Sequence, residues 1–190
     1  MAKKNSNTAG LGQINQQELQ HLITVSTGFI DAYIIDCFDN VPMLLPQNIV
    51  LSAMDTETNV DFIEWHDLKL PVFAVNDPKL KEGVALVIEG DDVSERFALV
   101  CNEMPESIRL RISEMVDEER DINDSTVFKY VKMGEKQFYL PNLQHIQTKL
   151  GLENKKGTQN RVPFLMHRIK LINFLKSAHK YQLMDQAHLR

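Results

Sequence analysis

Short apolar runs, rich in β-branched and aromatic side chains and separated by turn residues, fill the middle of the chain. Runs of this length and composition are typical of β-strands. A turn pair, Asp39-Asn40, separates the first two runs and predicts a hairpin. The strands predicted in this part of the chain are residues 32–38, 41–46, 62–65, 68–75, 83–90 and 95–102.

Residues 106–115 alternate between apolar and charged positions, the pattern of a strand with one buried face and one face in water. The inward positions are Ile108, Leu110 and Ile112, and the outward positions are Arg109 and Arg111. The acidic run that follows, residues 116–124, predicts a solvated loop. A last hairpin is predicted around Gly134.

Helical spacing occurs only near the end of the chain. Residues 141–151 have Leu143, Ile146 and Leu150 on one helical face, with Gly151 at the exit. From about Arg161 a second amphipathic pattern places apolar residues on one face and lysines and arginines on the other. Such a helix needs something to cover its apolar face.

This pattern of elements predicts a mainly β protein. Six or more short strands with few long helices favour small barrels or sandwiches over an alternating β-α-β fold. The apolar content of 43% is that of an ordinary soluble globular protein. No apolar run is long enough for a membrane helix, and the polar leader, residues 1–28, is expected to be disordered and is not a secretory signal.

Charge is distributed unevenly along the chain. Residues 1–150 contain 13 basic and 24 acidic side chains, whereas residues 151–190 contain 8 basic and 2 acidic ones. The acidic body will not attract nucleic acid or an anionic membrane. The basic tail either folds back on that body or contacts something else. Two isolated cysteines, Cys37 and Cys101, lie in apolar runs and favour a reducing, cytoplasmic location.

The cluster Glu64-Trp65-His66-Asp67 lies at the tip of the second predicted hairpin. A metal site needs three or four converging ligands; Glu64 and His66 could share one strand face, but no further histidine or cysteine is near in sequence. Tryptophan on an exposed hairpin is typical of a protein interface, although a buried core position is equally compatible with the pattern. A structural role or a protein contact is therefore favoured over a metal site, and no metal or cofactor is expected.

An enzyme is the less favoured interpretation. Both cysteines lie in apolar strands, where a small buried hydrophobe is the usual role. The acidic pairs fall in predicted loops, which do not separate the pKa values of two carboxyl groups as acid–base catalysis requires. The sequence contains no glycine-rich phosphate loop and no zinc-protease motif.

The order of these elements resembles the CheW family of chemosensory coupling proteins over residues 29–151. Three stretches bear the likeness: "AYIIDCFDNVPMLLPQNIVLSAM", "FIEWHDLKLPVFAV", and "RFALVCNEMPESIRLRI" with "FKYVKMGEKQFYLPNLQHIQTKL". The segments "PMLLP" and "EWHDLKLP" are most similar to the second, divergent CheW-like protein of type IV pilus (Pil-Chp) systems. The chain departs from the family where His66-Asp67 replaces an Arg-Gly pair.

The resemblance implies two small five-stranded SH3-like barrels with short helices, followed by a C-terminal helical extension over residues 152–190. It also implies a non-enzymatic adaptor that couples a methyl-accepting chemoreceptor to a CheA-type histidine kinase in twitching motility. In relatives the replaced arginine lies at or near the receptor-coupling surface. The expected protein contacts are Trp65, His66, Asp67, Leu70, Phe97, Leu99 and Ile108, of which the last three are equally compatible with core.

Two other functions remain open from the sequence. The first is a CheW-like module that no longer couples to a kinase and acts in regulation or dimerisation, with self-association through the C-terminal helix. The second is an enzyme that uses Cys101 or His66.

Overall fold

The computed structural model describes residues 28–152, which form two open β-sheets and a short C-terminal helix. The predicted leader and the helical extension after residue 152 lie outside the described residues. The strands are β1 (Phe29–Ile35), β2 (Met43–Pro46), β3 (Val50–Glu57), β4 (Phe62–Trp65), β5 (Leu68–Ala74), β6 (Glu82–Ile88), β7 (Phe97–Cys101), β8 (Glu106–Arg111), β9 (Met115–Glu118), β10 (Val127–Met133) and β11 (Lys136–Pro141); the helix α1 is Leu143–Lys149.

The larger sheet, sheet A, combines both ends of the described chain. Its order is β8-β1-β2-β11-β10-β9. All neighbouring strands are antiparallel except β2 and β11, which are parallel and register Met43 with Tyr139. The first hairpin is thus completed by strands β8 and β11 from the C-terminal half of the chain.

The smaller sheet, sheet B, is built from the intervening residues in the order β3-β6-β7-β5-β4. Strands β5 and β7 are parallel, and the other neighbours are antiparallel. Pro71, which lacks a backbone donor, is the last β5 residue paired with β4, and Val72 is the first paired with β7. Proline therefore lies where β5 changes partner, although β5 is an interior strand.

Three apolar clusters hold the two sheets together. Core A lies within sheet A and core B within sheet B, while the shared core lies between the sheets and under α1. Core A comprises Ala32, Leu44, Leu110, Ile112, Met115, Val131, Phe138 and Leu140. Core B comprises Ile63, Leu70, Ala85, Val87, Ala98 and Val100. The shared core comprises Ile35, Met43, Leu45, Ile49, Val84, Leu86, Ile88, Phe97, Leu99, Cys101, Val127, Tyr130, Tyr139, Leu143 and Ile146.

This arrangement explains why the central strands are apolar at every position. Along β7, alternate side chains enter the shared core (Phe97, Leu99) and core B (Ala98, Val100). Successive strand residues point to opposite faces, so a strand buried on both faces reads as a continuous apolar run. The smaller side chains of β7 face core B.

Backbone hydrogen bonds and α1 join the sheets. The Phe38 amide donates to the Val75 carbonyl over 2.8 Å, which attaches the end of β1 to the end of β5. The Asn142 side chain caps α1 by accepting from the His145 amide at 3.2 Å. Gly151, at φ +74°, ends the helix in the left-handed conformation that glycine adopts without strain.

The prediction of a mainly β protein with few short helices is confirmed, and the strands form two sheets. Sheet A has six strands, however, because β9 pairs with β10, although its residues 116–118 were predicted as the start of a solvated loop. The charges of this segment are accommodated across the pair: Asp117 bonds the Lys129 ammonium at 2.7 Å, and Glu118 bonds that of Lys132 at 3.0 Å. The exposed loop comprises residues 119–125.

Candidate protein-interaction surface

The β4–β5 hairpin presents the polar and aromatic cluster identified in the sequence. Trp65 pairs with Leu68, which leaves His66 and Asp67 as a two-residue turn, both exposed. His66 has φ +51°, in the left-handed region that favours glycine. A side chain other than glycine there costs roughly 1–3 kcal/mol. The hairpin therefore retains a histidine at a position where glycine would be the more stable choice.

The two faces of this hairpin differ in chemistry. On the inner face, Trp65 is half-buried against core B, and the Arg96 guanidinium lies 5.7 Å from its ring centroid. On the outer face, Phe62 is 51% exposed and the Lys69 ammonium lies 4.4 Å from its ring centroid. At the tip, the His66 ring meets the Trp65 ring edge-on at a centroid distance of 4.5 Å.

We call the set Phe62, Trp65, His66, Asp67, Lys69 and Arg96 the hairpin surface. It combines exposed aromatic area with cationic groups held against aromatic rings, and its aromatic side chains and arginine are residue types enriched at protein interfaces. Arg96 adds a further feature, because its Nε atom is buried without a hydrogen-bond partner among the described residues. The hairpin surface is thus chemically suited to a protein contact.

The seven residues predicted as contacts occupy four environments. Trp65, His66 and Asp67 lie on the hairpin surface. Leu70, from the same hairpin, is only 2% exposed in core B, so its side chain is not available to a partner. Ile108 is half-buried at the margin of core A, on the edge strand β8.

Phe97 and Leu99 are fully buried in the shared core, which corrects their inclusion among the contact residues. They belong to β7, an interior strand whose two faces are both covered, and the apolar run alone does not distinguish such a strand from an exposed apolar one.

Three members of the hairpin surface were missed from the sequence. Strand alternation around the buried Ile63 does indicate that Phe62 faces outward, and the two-residue turn places Lys69 opposite Glu64. Arg96 carries no comparable signal, because it reaches Trp65 from the segment before β7.

Cys101 is buried in the shared core, and Cys37 is half-buried against it. Cys37 Sγ lies 3.4 Å from Tyr139 Oη, and Cys101 Sγ lies within hydrogen-bond distance of two carbonyl oxygens, those of Val84 at 3.3 Å and Glu103 at 3.2 Å, either of which can accept its single proton. Burial raises the pKa of the Cys37 thiol and raises that of Cys101 to about 12. Because the thiolate is the nucleophilic form, this environment does not support catalysis by Cys101.

A cavity of about 220 Å³ opens where the ends of β1 and β7 meet the start of β8. Its lining combines the apolar Ile34 and Ile35 with three carboxyl groups, those of Asp36, Glu103 and Glu106. The negative field of these groups disfavours anionic ligands. Within residues 28–152 no three histidine, cysteine or acidic side chains are grouped as a metal ion would require.

Within the same residues, no helix has both the length and the apolar composition needed to cross a membrane.

Comparison with known proteins gives a likeness of fold to solved structures. No protein-family model matches the sequence, and no protein of curated function is a significant match. The backbone is similar to the crystal structure of the scaffolding protein TtCheW from Thermoanaerobacter tengcongensis, with a TM-score of 0.48 and 12% sequence identity. The match covers 60% of this chain and 84% of that one. The identity is too low for any residue's role to be transferred.

Proposed function

We propose that this protein is a non-enzymatic adaptor of a bacterial chemosensory system, which links a methyl-accepting chemoreceptor to a CheA-type histidine kinase. The observation that carries the proposal is the arrangement of the β-elements. The segments that resemble the CheW family form two packed β subdomains, with the first hairpin and the last hairpin in one sheet. The departure at His66-Asp67 falls at the exposed tip of the β4–β5 hairpin.

The mechanism is one of passive binding. Within the described residues, β3, β4, β8 and β9 each pair with a single neighbour, so each offers one row of backbone groups to another strand. The hairpin surface adds aromatic and cationic side chains beside one of these edges. An adaptor of this kind needs only two separate surfaces that bind at the same time, and two sheets provide them.

We further propose that the output is type IV pilus motility and that His66-Asp67 alters receptor choice. In support, the segments "PMLLP" and "EWHDLKLP" resemble the divergent pilus-associated relatives. The standard Arg-Gly pair would place glycine one position after the residue that adopts positive φ here. A change at this tip alters both the shape and the charge that a receptor meets.

The test is a pull-down of the purified protein with the CheA-type kinase and the chemoreceptors of its own organism. Trp65→Ala and the turn variant H66R/D67G are compared with Leu51→Ala, which removes an exposed apolar side chain from β3. We expect the unaltered protein to bind both the kinase and a chemoreceptor. Trp65→Ala should lower the affinity for one of these partners at least fivefold, whereas Leu51→Ala should leave the affinity for that partner unchanged. H66R/D67G should gain binding to a standard receptor tip.

The charge distribution defines a further arm of the experiment. A form without residues 153–190 lacks the basic tail, whereas the described residues contain 23 acidic and 11 basic side chains. If only the truncated form binds the kinase, the tail covers the binding surface, as expected for a regulatory module. If neither form binds any kinase or receptor, the adaptor proposal is wrong.

A further inference from the structure

The edge strand β8 carries a pair of arginines that the adaptor proposal does not use. Arg109 and Arg111 are both exposed and lie two positions apart, so they project from the same face of sheet A. The Phe29 ring on β1 lies beneath both, with its centroid 5.3 Å from the guanidinium of Arg109 and 5.0 Å from that of Arg111. One ring therefore holds two guanidinium groups side by side.

These guanidinium groups have no ion-pair partner within residues 28–152. Asp31 is the residue registered opposite Arg109 on β1, yet the two side chains form no salt bridge. This is an unusual arrangement in a region with 23 acidic and 11 basic residues. Both arginines thus keep their charge and their hydrogen-bond donors available to a group from outside this region.

The backbone of β8 is available in the same way. All six residues of β8 are in ladder with β1 on one side, and none pairs with a strand of the described chain on the other. Leu110, between the arginines, points to the opposite face of the sheet and into core A. Ile108, on the same face as Leu110, is half-buried at the margin of core A. A strand added here would meet cations on one face and apolar surface on the other.

We propose that the free edge of β8 binds an extended acidic segment of a partner protein. The segment would have carboxylates on two residues at i and i+2, opposite Arg109 and Arg111, and apolar residues on its other face, beside Leu110 and Ile108. In an added strand, residues two apart lie about 6.6–6.8 Å from one another on one face, which matches the spacing of the arginines. Guanidinium groups bind carboxylates in bidentate geometry, and an uncharged or basic strand would leave them unpaired.

This inference deepens the proposed adaptor role by specifying the chemistry of one partner, and rests on that role for its biological setting. Charged side chains on an edge strand also discourage unspecific pairing between sheets. The two effects are compatible, because an arginine pair that repels most strands still accepts an acidic one.

The test uses the full chain and fluorescent peptides that contain a Glu-Val-Glu-Val-Glu core or a Gln-Val-Gln-Val-Gln core, followed by anisotropy. We expect the glutamate peptide to bind at least tenfold more tightly than the glutamine peptide and to weaken as salt rises. The variant R109Q/R111Q should abolish this difference. The matched control K79Q/K81Q removes two exposed charges, also two residues apart, from the loop between β5 and β6 and should preserve it.

The arginine pair is not the site if R109Q/R111Q binds the glutamate peptide as tightly as the unaltered protein does, or if K79Q/K81Q loses as much affinity for that peptide. Acidic side chains are not what is recognised if both peptides bind equally. Strand addition is wrong if a glutamate peptide with N-methyl groups on the backbone amides that face β8 binds with full affinity. Vesicles containing phosphatidylserine supply the remaining arm. If R109Q/R111Q loses vesicle binding but not peptide binding, the site recognises a membrane and not a protein. Because no kinase or receptor is present, failure of this assay is separate from failure of the adaptor proposal.

Discussion

Leu99 is the residue for which a core role and a contact role lead to the most different experimental outcomes. The side chain is 0% exposed and lies between Leu86 on β6 and Phe73 on β5, within the shared core. Leu99→Ala removes buried apolar volume from a site enclosed by two sheets, where neighbouring side chains have little room to collapse. We expect the free energy of unfolding to fall by about 2–5 kcal/mol.

Urea denaturation followed by far-ultraviolet circular dichroism measures this change. With a slope of about 1–3 kcal/mol per molar urea for a domain of this size, the midpoint should fall by about 1–2 M. Leu51→Ala is the matched control, since Leu51 is 39% exposed on the edge strand β3. Its expected loss is about 1 kcal/mol or less.

A loss below about 1 kcal/mol for Leu99→Ala, together with weaker kinase binding at a temperature where the variant is folded, would refute this reasoning. It would return Leu99 to the set of contact residues. A large loss of stability with binding retained by the folded fraction would confirm that Leu99 acts only through the core.

Three further predictions concern stability. Gly83→Ala should lower the melting temperature by several degrees, because an added Cβ would collide with the Cys101 carbonyl oxygen and approach the Thr58 side chain to 2.9 Å; an unchanged melting temperature would contradict this close approach. The free energy of unfolding should fall as pH rises above about 9, because the folded state raises the Cys101 pKa to about 12 and so retains a proton that the unfolded chain releases. The slope attributable to this thiol is at most about 1.4 kcal/mol per pH unit. Denaturation at pH 8 and pH 10 should therefore show a smaller loss of stability between the two pH values in Cys101→Ala than in the unaltered protein. Asp117→Asn, which breaks the exposed ion pair with Lys129, should change the free energy of unfolding by less than about 1 kcal/mol. A larger loss that persists in 1 M salt would show that Asp117 stabilises the fold by more than a screened surface ion pair does.

Local elements were predictable from the sequence because each depends on residues close together in the chain. The β4–β5 hairpin follows from strand alternation and a two-residue turn, and the helix α1 follows from the spacing of Leu143 and Ile146. The mainly β class follows from the number of such runs. These signals require no knowledge of which strands become neighbours.

Long-range pairing accounts for what the sequence did not reveal. The sequence predicts a solvated loop at residues 116–118 because the acidic side chains there have partners only once β10 lies beside β9. Lys129 and Lys132 on β10 then form ion pairs with Asp117 and Glu118. The position of Arg96 beside Trp65 likewise depends on two strands that are apart in sequence.

The same limitation applies to the candidate contacts. Phe97 and Leu99 belong to an apolar run that is compatible with either a buried interior strand or an exposed binding surface. Only the placement of β7 between β5 and β6, with a core on each face, assigns them to the interior.

The insertion of sheet B between the two parts of sheet A has a consequence for the order of folding during synthesis. Strands β1 and β2 leave the ribosome early, yet their neighbours β8 and β11 are made only after all of sheet B. Until then the early hairpin exposes both an apolar face and unpaired edges, which favours aggregation, and its final contacts require closure of long loops, which slows folding. We expect newly made chains to depend on chaperones until β11 has emerged, and fragments that end before β11 to be degraded.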